Sequence, residues 1–217
     1  MKNLAWLMLS LCLSCCATAP VTAGGRVALS FDDGPDRALT PRLLDILREE
    51  GVKATFCLVG HRVRDNPGIA ARIYAEGHEL CNHSWNHPVL SRSNVASQIS
   101  RTDAAIRAAT GATPRILRAP FGVTASVGSC FDGRPFVGWG HWDGRDFVGG
   151  DTRDWLHRSR SWIVPAATRV PDDSIVLMHD IHRTTVDSVR AVIAGLKSRG
   201  MSFVHASDIW RSRCGSY

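Results

Sequence analysis

Ser30-Phe31-Asp32-Asp33-Gly34-Pro35 is the stretch from which the rest of the chain can be read. A short apolar run, Val27-Ala28-Leu29, leads into it, and Gly34-Pro35 turns the chain out of it. Neighbouring residues of an extended strand point to opposite faces, so Asp32 and Asp33 cannot both be buried on one face there. At a strand end they can fan apart and still border one cavity. Two carboxylates this close repel, and one is driven toward its neutral form unless a cation lies between them. The pair therefore directs attention to metal ligands downstream. An Asp-Asp-Gly-Pro surface turn is the competing reading, because Asp, Gly and Pro are ordinary turn residues.

Outward from this stretch the pattern alternates. Arg26 to Phe31 reads as a buried strand. Thr40 can cap a helix with Pro41 at its first position; Leu43, Leu44, Ile46 and Leu47 form its apolar face and Gly51 ends it. Ala54 to Val59 is the next strand, closed by Gly60. Ile69 to Glu76 is a helix stopped by Gly77, and Glu79-Leu80-Cys81 is a third strand running into Asn82 and His83. Asn94 to Thr110 is a long helix ended by Gly111. Ile116 to Arg118 and Phe136 to Trp139 are further strands. A helix is expected between Asp151 and Ala167, a strand over Ser174 to Met178, a helix over Thr185 to Arg199, and a last strand at Met201 to Val204. Strands alternating with helices imply parallel β-α units, and continuous apolar strands imply cover on both faces. A single α/β domain follows, either a barrel or a doubly wound sheet.

The composition is that of a globular protein, with 44% hydrophobic and 21% charged residues. The net charge of +6 is carried almost wholly by scattered arginines. Scattered charge does not form the basic stripe of a nucleic-acid binder, so no nucleic-acid partner is expected. Residues 1–23 read as a signal peptide: Lys2 gives a positive start, Leu4 to Leu13 is apolar but too short to span a bilayer, and Val21-Thr22-Ala23 resembles a cleavage site. Residues 24–217 then form the mature domain, exported to the periplasm or beyond, with no transmembrane segment. Leu13-Ser14-Cys15-Cys16 offers lipoprotein processing as a second route. After cleavage Cys57, Cys81, Cys130 and Cys214 remain, enough for two disulfides; Cys57 and Cys81, in consecutive strand-like segments, form one candidate pair.

Position then links distant residues. Asp32 and Asp33 follow the first strand, His83 the third, Arg118 ends the fourth and His179 follows the sixth. In parallel α/β folds the C-terminal strand ends share one rim, where active sites sit. His83 and His87 are four residues apart in His-Ser-Trp-Asn-His-Pro, a spacing able to chelate a divalent cation. With Asp33 they make a three-ligand site with open positions, suited to hydrolysis.

Ser-Phe-Asp-Asp-Gly-Pro, His-Ser-Trp-Asn-His, Arg-Ala-Pro-Phe and Leu-Met-His, in that order, resemble the motif set of the polysaccharide deacetylases, carbohydrate esterase family 4. The resemblance runs from about Arg26 to Trp210. It implies a distorted (β/α) barrel of about seven parallel strands. It implies Asp32 as general base, and Asp33, His83 and His87 as ligands of a divalent metal, zinc above cobalt or nickel. Arg118 would pair with Asp32 or a later aspartate, and the backbone N–H of Phe121 would help hold the oxyanion. His179 would protonate the leaving group, and Leu177 would line the acetyl pocket. The implied activity is removal of N- or O-acetyl groups from a polysaccharide such as peptidoglycan, chitin-type oligomers or acetylxylan, by a monomer.

The family's Asp-x-x-Asp-aromatic motif has two candidates here, Asp143 to Phe147 and Asp151 to Trp155. Closeness to the Phe136 strand favours the first, which makes Asp146 the expected partner of Arg118; the spacing to His179 and the Trp favour the second. Two other functions compete: a catalytically silent carbohydrate-binding relative, and a lipid-linked sugar deformylase. The loops Gly122 to Pro135 and Asp143 to Gly150 are expected to select the glycan, with Trp85, Trp139, Trp142 and Trp155 as candidate stacking platforms.

Overall fold

The computed structural model describes residues 24–210 and Cys214. The expected signal peptide, both lipoprotein cysteines and the cleavage site lie outside the described residues. Chain order is β1 (Arg26–Asp32), α1 (Leu39–Glu50), β2 (Thr55–Leu58), α2 (Gly60–Asp65), α3 (Pro67–Ala75), β3 (Glu79–Asn82), α4 (Val95–Thr110) and β4 (Ile116–Leu117). Two hairpins follow, β5 (Cys130–Phe131) with β6 (Arg134–Pro135), and β7 (His141–Trp142) with β8 (Phe147–Val148). Then come α5 (Arg160–Thr168), β9 (Ser174–His179), α6 (Arg183–Ser198), β10 (Ser202–Phe203) and α7 (Ala206–Ile209).

Six strands form one parallel sheet. β1 is its centre: it pairs with β9 from Val27 to Asp32, with β10 at Arg26 and Val27, and with β2 from Ser30 to Asp32. β3 and β4 continue from β2. The segment after β6 joins the far edges. Val137 N–H donates to Leu117 on β4, while Gly140 and Ile175 on β9 exchange both backbone bonds at 2.8 Å. This segment stands where the fifth of seven strands was expected, over Phe136 to Trp139. It is not a regular strand, because it serves β4 at one end and β9 at the other. Gly140 makes the switch possible: at φ 96° it lies in the left-handed region, and a Cβ there would meet the Val148 carbonyl oxygen at 2.3 Å. The barrel is thus closed by a distorted seam.

The period-two alternation of the strands sorts the interior from the shell. Val27, Leu29 and Phe31 of β1, Phe56 and Leu58 of β2, and Val176 and Met178 of β9 pack in the outer core beneath the helices. Ala28, Cys57, Cys81, Ile116, Val137 and Ile175 line the inner cluster. The inner positions of the central strands are small, and that space admits Arg118, the largest fully buried side chain. Cys57 and Cys81 are register partners on β2 and β3 and form a disulfide; Cys130 pairs with Cys214.

Local signals explain the helix ends. Gly51 and Gly111 close α1 and α4 in left-handed conformation. The start of α1 differs from expectation. Asp36 Oδ1 accepts the N–H groups of Ala38 and Leu39, so Asp36 supplies the cap. Thr40 sits inside the first turn, where its hydroxyl accepts from Asp36 N–H and donates to Asp180. Gly60 opens α2 instead of merely ending β2. The helix expected between Asp151 and Ala167 is a 3₁₀ turn at Asp154–Leu156 followed by α5.

Candidate active site

The inward period of each strand, followed to the strand end or one residue past it, delivers the site. On β1 the inward series Ala28, Ser30 ends at Asp32. On β9 the series Ile175, Leu177 ends at His179, in register with Asp32. On β3 the step beyond Cys81 is His83. Asp33 should point away, but it takes φ 73° and turns back to the same cavity, a conformation that aspartate tolerates better than most residues. Asp32, Asp33, His83, His87, Phe121, Leu177 and His179 line one cavity of ≈ 430 Å³.

Asp33, His83 and His87 offer ligand atoms that all lie within 4.8 Å of one another. Asp33 Oδ1 is 3.5 Å from His83 Nε2 and 3.3 Å from His87 Nε2. The residues fit a divalent cation on two further observations. Asp33 Oδ1 is buried with no hydrogen-bond partner, the kind of orphan that a cation satisfies. His83 Nδ1 lies 2.8 Å from the Arg118 carbonyl oxygen; a carbonyl only accepts, so Nδ1 donates there and Nε2 is the nitrogen that faces the cluster. Burial pushes the Asp33 carboxyl up, but the imidazoles of His83, His87 and His179 outweigh it and hold the group well below the usual carboxylate range.

The loop between the two histidines is bent: Ser84 and His87 have φ 66° and 59°. Side chains hold it there. Gln98 of α4 accepts from the N–H groups of Trp85 and Asn86 and donates to Asn86 Oδ1. Asn82 Oδ1 accepts from Ser84 N–H, and Ser84 Oγ from His87 N–H. Asn82 is itself tied to Asp103 at 2.7 Å.

Asp32 is held on its inner side. The buried guanidinium of Arg118 donates to Asp32 Oδ1 at 2.7 Å and to Ser30 Oγ at 2.9 Å. Its remaining N–H groups reach the carbonyls of Val137 and Gly138 in the barrel seam. Asp32 Oδ2 stays free toward the cluster, 3.6 Å from His83 Nε2.

Arg118 has no contact with Asp146, and that expectation is corrected. Asp146 lies exposed on the β7–β8 hairpin, its Oδ1 taken by Phe147 N–H. Closeness in sequence to the fifth strand misled, because the hairpin loops away from the rim. Asp154, from the second motif, is the buried aspartate of the site, and its partner is His179. It accepts His179 Nδ1 at 2.8 Å, His179 N–H at 2.8 Å and the Thr185 hydroxyl at 2.6 Å. Burial pulls the His179 imidazole down, but Asp154, with Asp32 and Asp33 behind it, raises it to about 9. His179 is therefore cationic at neutral pH, with Nε2 as the nitrogen left for the cavity. Sequence reasoning held Asp154 as the less favoured of two candidates and missed Thr185, Ser30 and Gln98. Only Asp154 had a signal, the Trp that follows it.

Phe121, at φ 59°, sets its ring 4.6 Å from that of His87, and 63% of it is exposed at the cavity mouth. Trp155 faces the same cavity at 50% exposure. Among the described residues no helix is long and apolar enough to cross a membrane.

Residues 20–127 match the family model described as polysaccharide deacetylase. The peptidoglycan-N-acetylglucosamine deacetylase PgdA of Listeria monocytogenes is 37% identical over 189 residues, covering 85% of this chain and 39% of that protein. This chain therefore spans well under half of that relative. A chitooligosaccharide deacetylase of Sinorhizobium fredii is 37% identical over 164 residues, covering 73% of this chain and 74% of its own length. Among solved structures, a family 4 acetyl xylan esterase from Clostridium thermocellum in complex with a cobalt ion superposes with TM-score 0.74 at 34% identity, over 84% of this chain and 89% of that one. By its sequence, its barrel and its motif order, the chain belongs to the polysaccharide deacetylase family.

Proposed function

We propose that this chain is a metal-dependent hydrolase that removes acetyl groups from an N- or O-acetylated polysaccharide. One observation carries the reading: Asp32 and His179, an acceptor and a donor of protons, stand in register on adjacent strands beside the Asp33–His83–His87 cluster. A divalent cation bound there supplies a Lewis acid that polarises the acetyl carbonyl and acidifies water. Zinc is the proposed ion, since a two-histidine, one-carboxylate set suits it; the cobalt-bound relative supports cobalt as a substitute.

Asp32 accepts the proton of the attacking water on Oδ2, while Arg118 fixes its orientation from Oδ1. His179 gives its Nε2 proton to the departing nitrogen or oxygen, and acetate is released. Leu177, buried on the inward face of β9, closes the pocket against the acetyl methyl. Phe121 shields the cavity mouth and offers its backbone N–H for the oxyanion. One tuned acid and one tuned base divide the proton work. A silent carbohydrate-binding relative has no use for a cationic His179 poised over a base. A deformylase remains the runner-up, separable by its substrate.

A monomer is the proposed working unit. Export through the 1–23 signal peptide, cleaved after Ala23, would place the enzyme with cell-wall or environmental glycans. The test is acetate release from acetylated chitin oligomers, peptidoglycan and acetylxylan, before and after chelation and with zinc restored. Release that depends on the metal and disappears in Asp32→Asn supports the reading. A metal-loaded protein that releases acetate from none of them, or whose release ignores chelation, refutes it.

A further inference from the structure

α5 packs Ile163 and Ala167 into the protein and turns Trp162, Pro165 and Ala166 the other way. A helix of this kind ordinarily presents polar residues to water. Here that second face forms one wall of a groove of ≈ 590 Å³, with Arg169 at its end and His141, Gly149 and Gly150 opposite. Trp162 is 46% exposed, yet its ring is fixed. The indole N–H donates to the Thr152 carbonyl at 3.2 Å, and the Arg158 guanidinium lies 4.7 Å from the ring centroid. A large apolar ring kept in one orientation while half in water is a preformed platform for the C–H face of a sugar.

The polar groups agree. The guanidinium of Arg169 has no hydrogen bond or ion pair among the described residues, and His141 uses only Nδ1, toward the Val148 carbonyl. The groove lining includes no carboxylate. It therefore suits a neutral or carboxylate-bearing glycan and disfavours a polycation.

The groove adjoins the catalytic cavity. Gly149 and Gly150 line the groove, and Asp151 lines the cavity. The backbone between them is tied to Leu177: Leu177 N–H donates to Gly150, and Thr152 N–H donates to Leu177. One extended segment, Gly149 to Thr152, thus separates the two. We propose that this groove is a distal subsite for the same glycan chain: a sugar further along the polymer rests on Trp162 and gives hydroxyls to Arg169 and His141. The inference rests on the deacetylase reading and deepens it.

The test compares a long acetylated chitin polymer with a short acetylated oligomer that cannot reach the groove. In Trp162→Ala, KM for the polymer should rise about fivefold or more, with kcat and both constants for the short oligomer unchanged. Arg169→Ala, at an exposed position, should shift KM the same way by a smaller factor and leaves the core untouched. Equal KM changes on both substrates, or none, overturn the subsite even if a protein occupies the groove instead. Affinity electrophoresis in gels containing the glycan reads the groove without turnover. A wild-type protein retarded by the glycan but hydrolytically inert would refute the deacetylase reading alone, whereas Trp162→Ala and Arg169→Ala retarded as strongly as wild type refute the subsite alone.

Discussion

Replacing Asp154 by Asn tests the acid assignment most directly. The aspartate sits 2.8 Å from His179 Nδ1 and, after the opposing effect of burial, is the main reason the imidazole is raised from 6.5 to about 9. Without its charge, only Asp32 and Asp33 oppose burial, and His179 should fall back to near its ordinary 6.5. At pH 8 the cationic fraction then falls from about 0.9 to about 0.03, roughly thirtyfold, whereas at pH 6 most of both proteins is still protonated. The assay is kcat/KM for acetate release from pH 5.5 to 10, which reports the free enzyme. The alkaline limb should move down by about two units or more, and the ratio of activity at pH 6 to that at pH 8 separates lost protonation from lost geometry. A cation at Asp33 cancels that carboxylate's share of the rise in both proteins, so the separation between the limbs is the quantity to read. Stability follows the same shift. The folded pKa of His179 is raised, so its contribution is complete below about pH 6.5 and is lost as the pH climbs through about 9. Unchanged limbs in Asp154→Asn would refute both the role of His179 and the choice of the second aspartate motif.

Other outcomes follow from the same contacts. Gln98→Leu removes the acceptor shared by Trp85 and Asn86 N–H, and zinc affinity measured by chelator competition should weaken about tenfold; Gln98→Glu keeps the acceptor and should stay near wild type. Arg118→Met leaves the buried Asp32 carboxylate without its cation, and urea unfolding should show a loss of about 3–5 kcal/mol. Burial raises Asp180 to about 7, with Thr40 opposing. Its raised folded pKa means stability is lost as pH rises from about 4 to about 7, so Asp180→Asn should flatten the thermal-melting profile over that window. Chelation should lower the melting temperature of the wild type and leave Asp33→Ala unaffected, since only the intact cluster gains from the ion.

Residue spacing made the strands and helices of the barrel legible, because continuous apolar strands and glycine stops are local signals. The site was legible for a related reason: in a parallel barrel, inward residues at the C-terminal strand ends face the same rim. What could not be read was geometry set by backbone detail. Asp33 needed a left-handed turn to rejoin Asp32, and no pattern in the sequence states φ. The β7–β8 hairpin carried Asp146 away from the rim although it lies nearer the fifth strand in sequence than Asp154 does. Thr40 looked like a cap and became instead the link between the α1 turn and Asp180, with Asp36 taking the cap. Hydroxyls and amides that hold other residues, such as Ser30, Thr185 and Gln98, show nothing in sequence, since their role depends wholly on what the fold places beside them.

Arg118 connects closure of the barrel to its chemistry. An unpaired cation in an interior of small side chains would be strongly unfavourable. It is tolerated because Asp32 neutralises it on one side and the seam carbonyls of Val137 and Gly138 satisfy it on the other. The seam needs Arg118 in return, since a segment that leaves β4 for β9 has carbonyls that no strand can pair. The same guanidinium fixes the orientation of Asp32 and supplies donors to the irregular edge. The carbonyl of Arg118 meanwhile sets the tautomer of His83. Loosening the seam should therefore disturb Asp32 and His83 together, even though no seam residue other than Trp139 faces the cavity.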